Sequence, residues 1–142
     1  MTRSKILVFA AFLVVLVFGC QQKMCGCVFP ESPLKGDWTL TQITYGLTQK
    51  TVTATEAGYS ETVSFGGYTG SGDYRQMRNG ITVQRSTYKL SFPKGGITEG
   101  QLFFDSDSTQ QSFRLVDNQL YLSERTPIGA TIADGSTYEY SR

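Results

Sequence analysis

The stretch GDWTLTQITY, Gly36 to Tyr45, decides how the rest of the chain is read. Its threonines, isoleucine, tyrosine and tryptophan suit a pleated, half-buried backbone. Trp38 and Leu40 share one face of such a strand, whereas Ile43 and Tyr45 fall on the other. A bend or bulge near Gln42 would reconcile the two pairs.

The same kind of segment recurs to the last residue. Glu61 to Tyr68 places Val63 and Phe65 together until Gly66-Gly67 interrupts it. Asp73 to Met77 runs into Asn79-Gly80, a strong short hairpin signal. Ile81 and Val83 alternate, then parity switches before Tyr88, Leu90 and Phe92, which predicts a bulge or turn at Arg85 to Thr87. Leu102-Phe103-Phe104 marks a short strand, and Asp117-Asn118 reads as a two-residue hairpin loop between Gln111–Val116 and Gln119–Ser123. Thr137 to Arg142 adds a last strand with Tyr138 and Tyr140 on one face. Gly46 to Gly58 is polar and reads as a loop with a helical turn around Ala54 to Ala57. Short strands at close spacing, with no helical period after Cys20, predict an all-β antiparallel barrel or sandwich of about eight strands.

Gly36-Asp37-Trp38, at the head of the first strand, resembles the Gly-x-Trp motif of the lipocalins. The aromatic ending Tyr138-Glu139-Tyr140-Ser141-Arg142 is similar to the terminal strand of lipocalin-like bacterial lipoproteins. The resemblance implies a small lipocalin-like barrel over 36–142, in which Trp38 closes one end. It implies a late arginine packed over that indole: Arg142 first, Arg125 second. Gly36, Trp38 and Arg142 are thus the expected barrel closure, a structural role.

Upstream, MTRSKILVFAAFLVVLVFGC opens with Arg3 and Lys5 and continues with 13 apolar residues, Ile6 to Phe18. That run is short of the roughly 20 residues that span a bilayer, and it has the form of a secretory leader. Val17-Phe18-Gly19-Cys20 resembles the lipobox of bacterial lipoproteins, with the bulky Phe18 where a small residue is usual. The resemblance implies cleavage after residue 19 and acylation of Cys20 by palmitate-type chains. It places the protein in the bacterial cell envelope, at the outer membrane for preference, facing away from the cytoplasm. Met24-Cys25-Gly26-Cys27 is a poorer second candidate, since Gln21, Gln22 and Lys23 separate it from the apolar run. Residues 20–35, with Pro30 and Pro33, read as a flexible tether.

Composition limits the chemistry. There is no histidine, so the commonest general base and metal ligand are missing. A Ser-His-Asp triad cannot be assembled. The 13 Lys and Arg fall to 11 when Arg3 and Lys5 leave, against 12 acids, so nothing favours nucleic acid. With Cys20 acylated, only Cys25 and Cys27 remain, too few to hold a metal. Asp105-Ser106-Asp107-Ser108 begins like a calcium loop, but Gln110 and Val116 stand where its glycine and glutamate belong. We therefore expect no enzyme, cofactor or metal.

Two readings remain. The first is a monomeric barrel that holds a small apolar or amphiphilic ligand, with Tyr45, Phe65, Tyr88, Phe103 and Tyr121 as the aromatic lining. The second is a filled barrel that acts as a protein-interaction module in envelope assembly or inhibition. A hollow interior distinguishes the first from the second.

Overall fold

The computed structural model describes residues 30–93 and 95–142. Cys20, Cys25, Cys27 and the leader lie outside them. Strand β1 (Gly36–Thr44) is followed by β2 (Thr51–Thr53) and a four-residue helix α1 (Ala54–Ala57). Then come β3 (Glu61–Phe65), β4 (Ser71–Arg78), β5 (Ile81–Ser91), β6 (Glu99–Phe104), β7 (Thr109–Val116) and β8 (Gln119–Ser123). The short β9 (Thr126–Pro127) and β10 (Thr137–Ser141) complete the chain. Neighbours pair antiparallel in the order β10-β8-β7-β6-β5-β4-β3-β1, and β10 pairs back with β1. The sheet is a closed, all-β barrel. β2 and β9 hang on it as short extra pairings.

The bend expected in β1 is a bulge. Leu40 pairs with Tyr140 and Gln42 with Glu139, leaving Thr41 as the extra residue. Its hydroxyl donates to the Glu139 carbonyl at 3.0 Å. The bulge turns Ile43 inward beside Trp38 and Leu40, so all three are buried. Both hairpin signals form two-residue turns with left-handed backbone, at Asn79 (φ 51°) and Gly80 (φ 77°) and at Asp117 (φ 45°) and Asn118 (φ 69°). Such turns match the twist of the strands they join. The helical turn forms as well. It is capped by Thr53, whose side chain accepts from the Glu56 amide, while Glu56 accepts from the Thr53 amide at 2.7 Å.

Two expectations change. The irregularity in β5 sits at Val83, where Gln76 pairs with Gln84 but Met77 with Thr82. Ile81 and Val83 are therefore solvent-facing, at 70% and 53% exposure. Parity in the sequence marks that a slip occurs, but a run of exposed polar residues hides where. The second change concerns the stretch before Gly36. Ser32 and Leu34, which the sequence leaves in the tether, are buried, and Leu34 joins the core. A lone leucine between Pro33 and Lys35 gives no periodic signal; its carbonyl accepts from the Trp38 indole N–H at 2.7 Å, a partner the sequence does not announce.

The interior is filled by side chains. An aromatic column runs through it: Tyr88 meets Phe65 edge-on at 5.4 Å, Phe65 meets Tyr74 at 5.3 Å, and Tyr74 meets Phe104 edge-on at 4.8 Å. Leu40, Ile43, Val63, Leu102, Phe113, Leu120 and Leu122 pack around it. A Cβ on Gly72 would run into the Gly66 carbonyl, which lets Tyr88 reach that same oxygen with its hydroxyl at 2.9 Å.

Candidate functional site

The barrel has two unlike ends. At the first, Trp38 is wholly buried and its indole N–H donates to the Leu34 carbonyl at 2.7 Å. The Arg142 guanidinium lies 4.1 Å from the centre of the Trp38 ring, in cation–π range. It also donates to the Lys35 carbonyl at 3.2 Å and to Asn118 Oδ1 at 3.0 Å. Gly36 has φ 122° and lies under that guanidinium. One arginine thus joins the incoming segment, the last strand and the β7–β8 turn over the indole. This end is shut.

The other end is open and polar. A hollow of about 230 Å³ there is lined by Glu61, Tyr74, Gln76, Arg78, Gln84, Gln111, Glu124, Arg125 and Tyr138. Gln111 and Glu124 also line an adjoining hollow of about 190 Å³ with Gln101, Gln110, Thr126 and Ile132. Strand alternation explains the inward-facing members. Glu61 shares a face with Val63 and Phe65, and Gln111 shares one with Phe113.

Glu61 is 2% exposed yet satisfied. Arg78 donates to it from Nε at 3.0 Å and from a terminal nitrogen at 2.7 Å, and the Tyr140 hydroxyl donates at 2.7 Å. Burial, then the Glu61 carboxylate, pushes the Tyr140 phenol well above its ordinary range. Burial also holds Tyr74 high, against the pull of the nearby Arg125 cation. Arg125 stacks 3.6 Å from the Phe104 ring centre and donates to Asp107 at 3.3 Å. Asp107 also accepts from Gln84 at 2.8 Å. Burial would raise the Asp107 carboxyl, but the Thr109 hydrogen bond and Arg125 outweigh it and leave it low.

One buried polar atom beside the hollow lacks a partner. Gln111 donates from Nε2 to the Ser123 carbonyl at 2.6 Å, but its buried Oε1 accepts nothing. A buried acceptor left unmade costs ~1–3 kcal/mol, so this oxygen marks where a donor is wanted. Polarity alone could have flagged Gln111 in the sequence, as a glutamine between strand residues; its unmet oxygen depends on how β7 meets β8.

The five aromatics expected around one pocket are not brought together. Phe65 and Tyr88 belong to the filled column. Phe103 lies between buried Leu102 and Phe104 and so points outward. Tyr121 does the same between Leu120 and Leu122, with Arg114 over its ring at 4.9 Å. Tyr45 is 41% exposed just past β1. Alternation along each strand divides these five between inside and outside. The acids of the 105–108 turn are engaged by side chains: Thr87 and Lys89 at Asp105, and Gln84, Thr109 and Arg125 at Asp107. Among the described residues no group of three or more His, Cys, Asp or Glu could hold a metal ion.

No family model matches the chain, and no curated protein matches it. Some solved structures align with it at low identity. A protein titled REP1-NXSQ fatty acid transporter aligns at 9% identity and TM-score 0.46, over 77% of this chain and 95% of its own. A fatty acid binding protein of Schistosoma mansoni, in complex with arachidonic acid, aligns at 8% and 0.45, over 77% and 95%. Fatty-acid-binding protein 1 of Echinococcus granulosus aligns at 8% and 0.45, over 76% and 96%.

Proposed function

We propose that this protein is a lipid-anchored barrel of the bacterial envelope that holds a small amphiphile, polar head inward, at its open end, and performs no chemistry. The observation that carries the reading is the orphaned Gln111 Oε1 beside a polar hollow above an otherwise filled interior. The hollow's two cations already have carboxylate partners, Glu61 for Arg78 and Asp107 for Arg125. A bare carboxylate would have to displace one of them. A hydroxyl, amide or amine head supplies the missing donor and disturbs neither pair. Exposed Leu47, Ile81, Val83, Ile128 and Ile132 sit on loops and strand ends at the same end of the barrel, where an apolar tail would rest.

The anchor follows from Val17-Phe18-Gly19-Cys20 and the apolar run before it. Two or more acyl chains hold a protein stably to a bilayer. The described chain begins at the shut end, where Thr69 donates to the Pro30 carbonyl at 2.9 Å. Residues 20–29 reach at most ~36 Å when fully extended, which keeps the shut end within that distance of the lipid. Cys20→Ser should abolish lipid labelling and release the protein from membranes; continued membrane fractionation would sink the lipobox reading.

Trp38 lies at the wrong end to report on the hollow, so binding should be read by calorimetry. Fatty alcohols and monoacylglycerols of graded length should bind, fatty acids of the same length at least tenfold more weakly. Gln111→Leu should remove that difference. Silence across the panel would leave the second reading, a filled interaction module, whose supporting observation is the same set of exposed aliphatic residues.

A further inference from the structure

The outer wall holds an arrangement that neither the hollow nor the closure uses. Arg75 on β4 and Arg85 on β5 are directly opposite each other, and Ser64 on β3 is directly opposite Arg75. All three alternate with inward residues, so they form one outward row across three adjacent strands. Directly opposed side chains on such strands stand ~5 Å apart at Cβ, and like charges placed so repel. Among the described residues neither arginine has an ion-pair or hydrogen-bond partner. The row borders an open cleft of about 610 Å³, lined also by Phe65, Gly66, Asp73, Tyr74 and Ser86. Ser64 Oγ is buried against the wall and has no partner. Two unpaired guanidinium forks and an unmet hydroxyl around one cleft make a donor set without an acceptor.

We propose that this cleft binds a phosphate-class oxyanion, clamped between Arg75 and Arg85 with Ser64 donating from below. Planar guanidinium groups suit tetrahedral oxyanions because each can donate two parallel bonds. An anion between the two also cancels the repulsion that the bare pair carries. Asp73, at the edge of the cleft, sets a limit: its carboxylate opposes a second negative charge, so affinity is modest and rises when that charge is removed. The oxyanion can be a soluble phosphate or the head group of an anionic lipid, and the chemistry at the arginines is the same.

The test uses the full chain in neutral detergent micelles and reads the arginine Nε–H signals by NMR. Inorganic phosphate is titrated in one arm, and micelles doped with phosphatidylglycerol or phosphatidylcholine form the other. Arg75 and Arg85 should shift saturably, while Arg142 and Arg125 stay in place. Arg85→Gln should weaken binding at least tenfold, Ser64→Ala several-fold, and Asp73→Asn should tighten it several-fold. Phosphate should also raise the melting temperature of the parent and leave that of Arg85→Gln unchanged. Saturation with inorganic phosphate alone identifies a soluble ligand; saturation with phosphatidylglycerol but not phosphatidylcholine identifies a lipid head group. Non-saturating shifts, equal shifts at all arginines, or an Arg85→Lys or Arg85→Gln protein that binds like the parent would overturn the site.

Discussion

The two ends of the barrel use arginine in opposite ways. At the shut end, among the described residues, Arg142 donates to neutral acceptors, two of them the Lys35 carbonyl and Asn118 Oδ1, and stacks on a wholly buried indole. Its work is to join segments far apart in the chain. At the open end Arg78 and Arg125 pair with carboxylates and stack on Tyr59 and Phe104. They keep charge inside the barrel mouth without closing it. One end uses its cation to exclude water, the other to remain polar. Stability should therefore reside mainly in the first, binding in the second.

Alkali should separate the ends most strongly. Burial raises the phenols of Tyr74, Tyr138 and Tyr140 in the open half and of Tyr88 in the shut half. Because the folded values are raised, the stability tied to these neutral phenols is whole below about pH 10, the unfolded value. It is lost as pH climbs toward the folded values, by up to ~1.4 kcal/mol per pH unit for each phenol. Part of the phenolate absorbance at 295 nm should therefore appear only in step with loss of the β circular dichroism. Full ionisation with an intact β signal would contradict the burial of these rings.

Among single changes, Trp38→Ala should be the most damaging, at ~3–5 kcal/mol. Chemical denaturation measures it, and a loss below ~1 kcal/mol would remove Trp38 from the role of end plug. Glu61→Leu should follow at ~1–3 kcal/mol, because it strands the Tyr140 hydroxyl in the core while Arg78 can turn to water. If Tyr140→Phe restores most of that loss, the stranded hydroxyl is the cause; if it restores none, the account fails. Arg142→Ala should cost least, ~0.5–1 kcal/mol, with amide exchange at Leu34 and Lys35 rising and binding at the hollow unchanged. A change in binding there would mean that the two ends communicate.

Much of the architecture is legible in the residues. Alternation gave away the strands, Asn79-Gly80 and Asp117-Asn118 their turns, and the parity break after Leu40 its bulge. These signals are local, so a single strand contains them. The hollow is not local. Glu61 is a charged residue at the head of a strand, and its burial is intelligible only with Arg78, 17 positions on, and Tyr140, 79 positions on. The resemblance offers Arg125 as a second candidate for the Trp38 ring, yet it caps Phe104 at the other end. Leu34 shows the same gap, since nothing in its neighbours announces that its carbonyl meets the Trp38 indole.

Pairing of β10 with β1 is what makes this sheet a tube. Every other contact in the ring joins strands close in sequence, whereas this one joins the first strand to the last. A ribosome or translocation channel delivers the first strand long before its final partner. Until Thr137–Ser141 emerges, the two rims of the curled sheet stay bare and ready to pair with any other strand in reach. The closed ring can therefore form only once that last strand is in reach.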